Sequence, residues 1–65
     1  MRIFVNGEQR EIEPETLSLA LDDLGFGGRK IATAVNGQFV AAARRATIKL
    51  ADGDRIEVVA PMQGG

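Results

Sequence analysis

The chain ends in Ala60-Pro61-Met62-Gln63-Gly64-Gly65, and its last two residues are the clearest candidates for chemistry. Glycine has no Cβ, so two in succession can pass through a slot that would exclude any side chain. The carbonyl carbon of Gly65 is then open to attack. At an average glycine usage of about 7%, two terminal glycines arise by chance in roughly one chain in 200, so the pair is read here as functional rather than as a frayed end. The group itself needs help. An α-carboxyl has an ordinary pKa of about 3.3–3.7, so at neutral pH it is an anion and a poor electrophile. An acyl-adenylate made from ATP is the obvious route to a reactive form.

Nothing else in the sequence could perform that activation. The 65 residues include no His, Cys, Trp or Tyr. Without histidine the usual general acid and base is missing, and Ser18, the one serine, has no imidazole to activate it. Gly27-Gly28 is no phosphate cradle, because it follows a helical segment where a nucleotide loop requires strand, glycines, then helix. The expectation is a protein that is not an enzyme and whose Gly65 is acted on by an ATP-dependent partner. Two other motifs have duller explanations. Asp52-Gly53-Asp54 has too few oxygen ligands for calcium and reads as a tight turn. Arg44-Arg45 could contact a partner's phosphate or carboxylate, but two adjacent exposed arginines are ordinarily solvated surface.

Bulk properties agree. A chain this short buries only about 60% of the surface its unfolded form exposes, which leaves room for one thin core and no enclosed pocket. With 45% hydrophobic and 26% charged residues, it is globular rather than disordered. The net charge of −1 includes no basic block, so no nucleic acid partner is expected. No cysteine means no disulfide and no zinc-thiolate site, and no metal is expected. No apolar run approaches the roughly 18 residues of a membrane span, and the N-terminus turns polar too quickly for a signal peptide. A cytoplasmic location is expected.

The elements that must position the terminus can be read from periodicity. Residues 1–5 alternate as a strand, with Ile3 and Val5 on one face and Phe4 on the other. Asn6-Gly7 is the preferred pair for a two-residue type I′ turn, and residues 8–13 return with Ile12 inward. Thr16 is placed to cap a helix whose apolar stripe is Leu17, Ala20, Leu21 and Leu24. Leu19 lies off that stripe, and Gly25 suits the left-handed C-terminal position. Residues 31–35 form a third strand, ended by Asn36-Gly37, and Phe39-Val40 starts its return. Residues 41–46 read as a short helical turn, 48–50 as a short strand and 55–60 as the last strand, stopped by Pro61. One helix on one face of a mixed sheet is the economical packing of this order. The expectation is an α+β domain over residues 1–60 with a flexible Gly-Gly tail over 61–65. Alternation puts Ile3, Val5, Ile56 and Val58 toward the helix, and Phe4 and Val59 away from it. With Ala32, Ala34 and Met62 these would form an exposed apolar patch for partner docking.

Several segments together resemble the ThiS family of sulfur carriers within the ubiquitin-like β-grasp superfamily. They are Ile3-Phe4-Val5-Asn6-Gly7, the Thr16-Leu17 helix start, residues 34–40 (Ala-Val-Asn-Gly-Gln-Phe-Val), the run from Asp52 to Val59, and terminal Gly64-Gly65. The resemblance covers essentially the whole chain. It implies a β-grasp sheet of four to five strands with one main helix, and a role in thiamine (thiazole) biosynthesis. A ThiF-like adenylyltransferase would activate Gly65. A sulfur donor such as a cysteine desulfurase or rhodanese would convert it to a thiocarboxylate. A ThiG-like thiazole synthase would accept the sulfur. No bound cofactor is implied. Similar carriers often have proline and tryptophan where this chain has the alanine- and arginine-rich 41–46. Two alternatives share the fold: the small subunit of molybdopterin synthase, and a ubiquitin-like protein modifier.

Overall fold

The computed structural model describes residues 1–60. Two strands, β1 (Arg2–Val5) and β2 (Glu8–Glu11), form a hairpin and are followed by one helix, α1 (Leu17–Asp23). A second hairpin, β3 (Ala32–Val35) and β4 (Gln38–Val40), leads through a 3-10 helix (Ala42–Thr47) to β5 (Arg55–Val59). The hairpins close as expected: Asn6 and Asn36 both sit at φ 50, with Gly7 at φ 85 and Gly37 at φ 82. The two-residue type I′ turn demands this left-handed pair, and asparagine followed by glycine tolerates it best.

The helix begins where its cap predicts. Thr16 is extended, and its Oγ1 accepts the Leu19 N–H at 3.3 Å. Gly25, at φ 93, takes the left-handed position after Leu24. Leu17, Ala20 and Leu21 are buried, while Leu19 is 56% exposed, the outcome for a residue off the apolar stripe.

The sheet order is β2-β1-β5-β3-β4. The last strand lies at its centre, parallel to β1 and antiparallel to β3. Ile3, Val5, Ile56 and Val58 point at the helix and form the core with Ile12, Leu17, Ala20, Leu21, Val40 and Leu50. The outermost strand on one side, β2, is exposed at every position and carries Glu8, Arg10 and Glu11, which blunts a bare sheet edge.

Two expectations are corrected. Residues 48–50 do not form a strand: Lys49 makes an isolated bridge with Thr16, and Leu50 N–H bonds the Glu15 carbonyl at 2.6 Å. The alternation of Ile48 and Leu50 comes from two residues dipping into the core on either side of that bridge. The last strand stops at Val59, and Ala60 is exposed and outside the ladder.

Candidate functional site

Residues 61–65, which include Met62, Gly64 and Gly65, lie outside the described residues. The site is therefore built from the strand that carries the chain toward them. β5 is held on both flanks. β3 pairs with it from Ala32↔Val59 to Val35↔Ile56. On the other flank β1 contributes two backbone rungs, Phe4 N–H to the Asp54 carbonyl and Asn6 N–H to the Ile56 carbonyl, both 2.9 Å.

The two turn asparagines add to this. Asn6 Oδ1 accepts the Val58 N–H at 2.8 Å, and its Nδ2 donates to the Val58 carbonyl at 3.1 Å. Asn36 Oδ1 accepts the Arg55 N–H at 3.0 Å, and its Nδ2 donates to Asp54 Oδ1, also at 3.0 Å. Each Asn-Gly turn thus closes a hairpin and clasps β5 with the asparagine side chain, Asn36 near its start and Asn6 near its end.

The face of the sheet turned away from the helix is the second part of the site. Phe4 and Ala34 are half-buried there, and Ala32 and Val59 are exposed. These four members of the expected patch share one face, because their neighbours in sequence fill the core. Cross-strand pairing places Ala32 beside Val59, and Ala34 between Glu57 and Phe39. Phe39 is 73% exposed, the most exposed large apolar side chain among the described residues, and extends the patch across β4. The sequence places Phe39 at the start of the return strand but not in the patch, because a strand of three residues is too short for alternation to assign its face. Lys30, Ile31, Ala32 and Val59 line a shallow, mostly apolar depression beside the end of β5.

The remaining motifs resolve into structure. Asp52-Gly53-Asp54 is a turn with Gly53 at φ 89. Asp52 Oδ1 accepts the Arg2 N–H at 2.7 Å and Asp54 Oδ2 the Ala51 N–H at 2.8 Å. Among the described residues no group of three or more His, Cys, Asp or Glu side chains is gathered to hold a metal. Arg44 and Arg45 are not the exposed pair expected. Arg44 is exposed, but Arg45 is half-buried and donates to the Thr33 hydroxyl and the Ile31 carbonyl. The tight 3-10 turn sends adjacent side chains in different directions, so one arginine braces the sheet. No described helix is long and apolar enough to cross a membrane.

The ThiS family model matches residues 3–65 of this chain. The sulfur carrier protein ThiS of Thermus thermophilus is 36% identical over 63 residues, covering 97% of this chain and 98% of that one. A thiazole synthase of Paramagnetospirillum magneticum is 35% identical over 66 residues, covering 100% of this chain, which spans only 20% of that relative's length. Among solved structures, the fold is similar to a crystal structure of the thiamine biosynthesis protein ThiS from Geobacter metallireducens. The TM-score is 0.84, with both chains covered over 100% of their length, at 22% sequence identity.

Proposed function

This chain belongs to the ThiS family, and from that premise we propose that the carboxylate of Gly65 is the group that carries sulfur for thiamine biosynthesis. The observation that carries this reading is that the family match runs through to Gly65, beyond a strand fixed at the centre of the sheet. The protein serves as a cosubstrate in the cytoplasm, and the reactions belong to its partners.

The steps follow from the chemistry of a carboxylate. A Gly65 oxygen attacks the α-phosphorus of ATP on a ThiF-like adenylyltransferase, and pyrophosphate leaves. The persulfide of a sulfur donor, loaded from cysteine by a desulfurase or a rhodanese, attacks the carbonyl carbon and AMP leaves. A second thiol then cleaves the S–S bond of the acyl disulfide, which releases the thiocarboxylate and leaves a disulfide behind. Thiazole synthase accepts the sulfur. The similarity between this chain and one-fifth of a thiazole synthase supports that acceptor. The small subunit of molybdopterin synthase is not favoured, since both curated relatives belong to thiazole formation.

We assign the docking of the adenylyltransferase to the face bearing Phe4, Ala32, Ala34, Phe39 and Val59. Exposed apolar surface of this kind marks interaction sites, and it adjoins the end of β5.

Intact mass after incubation with ATP, the activating enzyme and a sulfur source tests the reading. Thiocarboxylate formation gives a gain of about 16 Da, the same as one methionine oxidation, so the product is also treated with a thiol-selective alkylating agent. The chain has no cysteine, so alkylation reports the thiocarboxylate. A chain lacking Gly65 that is alkylated to the same extent overturns the proposal. Ladders of isopeptide conjugates from cells would favour the protein-modifier alternative.

A further inference from the structure

We propose that Asn6 is a positioning residue for the C-terminal carboxylate: its side-chain amide continues the β1 side of the ladder to Val58, so that the end of β5 is held on both flanks and the chain leaves the sheet in a set direction. The inference rests on the Gly65 reading and adds to it a residue in the first turn, 52 positions before its partner Val58.

In a parallel ladder, residues of one strand bond alternate residues of the other. Here the rungs run from Phe4 to Asp54 and from Asn6 to Ile56. The next rung would come from residue 8 to the Val58 carbonyl, with the Val58 N–H returning to the carbonyl of residue 6. That rung cannot form, because the chain turns away at Asn6-Gly7. The Asn6 amide provides both halves of it, an acceptor at 2.8 Å and a donor at 3.1 Å. A primary amide carries the same donor and acceptor as a peptide group, which is why asparagine can substitute for backbone here.

The fold contains its own control. Asn36 occupies the same kind of turn at the same φ of 50, and its Oδ1 likewise accepts a β5 N–H, that of Arg55. It acts at the start of the strand, whereas Asn6 acts two residues before Ala60. Loss of the Asn6 clasp leaves the end of β5 held on one flank alone, by its pairing with Thr33 and Ala32, and frees the flank beside β1. Loss of the Asn36 clasp leaves both flanks of that end in place. Misplacement of a reacting group by even about 1 Å can lower a rate by as much as 100-fold.

The test uses full-length Asn6→Gly and Asn36→Gly. Glycine accepts positive φ, so both turns survive. Amide exchange at Val58 and Val59 is followed by NMR, and ATP-dependent adenylation is followed with the activating enzyme. Exchange at Val58 is expected to accelerate by about tenfold or more in Asn6→Gly alone, in line with loss of one clasp of hydrogen bonds. The kcat of adenylation is expected to fall about fivefold with KM within about twofold of wild type, because delivery changes while the docking face does not. Asn36→Gly keeps kcat near wild type at a similar loss of thermal stability. Equal kcat in the two variants overturns the positioning role and leaves the Gly65 reading standing. A wild-type chain that is never adenylated overturns both.

Discussion

Arg45 and Thr33 are joined by a hydrogen bond of 3.0 Å from the guanidinium Nε to the threonine hydroxyl. The same hydroxyl donates onward to the Val40 carbonyl at 2.8 Å. Thr33 is only 2% exposed and is the sole buried polar residue among those described. Arg45 also bonds the Ile31 carbonyl at 2.7 Å, so one side chain ties the 3-10 helix to β3. Arg45→Ala is expected to cost about 1–3 kcal/mol, because it strips bonds from a buried hydroxyl and a strand-end carbonyl. In a domain of this size each kcal/mol lowers the melting temperature by about 4–8 °C. Arg44→Ala is expected to change it little. Thermal unfolding of the two variants, followed by circular dichroism, checks the contrast.

Leu19 and Leu21 make a second contrast within one helix. Leu21 is 3% exposed and Leu19 56%. Leu21→Ala is expected to cost about 2–5 kcal/mol through lost burial and a residual cavity. Leu19→Ala is expected to stay within about 0.5 kcal/mol of wild type, as at most surface positions. Urea titrations of both variants measure the difference.

Much of this architecture was legible in the residues. The two Asn-Gly pairs specify their turns by backbone sterics alone, and Thr16 and Gly25 bracket α1 by local hydrogen bonding and positive φ. The alternation in β5 separates Ile56 and Val58 from Val59 because the period of a strand is two. What stayed hidden depended on distance along the chain. The Asn6–Val58 clasp spans 52 residues and has no local signature. Phe39 sits in a strand of three residues, too short for alternation to reveal its face. Arg45 looks like its neighbour until the 3-10 turn separates them. Residues 48–50 imitate a strand because Ile48 and Leu50 both meet the core.

Gly37→Ala isolates backbone conformation from packing. The glycine is at φ 82, and a Cβ there would meet nothing within 4 Å. The expected cost of about 1–2 kcal/mol is therefore the penalty of a left-handed L-residue alone. Comparison of denaturation midpoints with the wild type checks it. A loss well above this range would mean that the turn rearranges.

Phe39→Glu tests the proposed docking face. The side chain is 73% exposed, so the variant should fold with an unchanged far-ultraviolet spectrum. Its KM for adenylation is expected to rise about tenfold, the effect of removing a contact worth about 1.4 kcal/mol. A KM equal to wild type in a folded Phe39→Glu protein would remove this residue from the docking surface.

The central place of β5 decides what an incomplete molecule can be. A chain cut short before residue 55 retains β1 with β2 and β3 with β4, but the strand that joins the two pairs is gone. Isolated two-stranded hairpins are marginal in water, so a chain truncated there is expected not to hold a folded sheet. Possession of an intact sheet thereby certifies that the central strand leading toward residue 60 has been made.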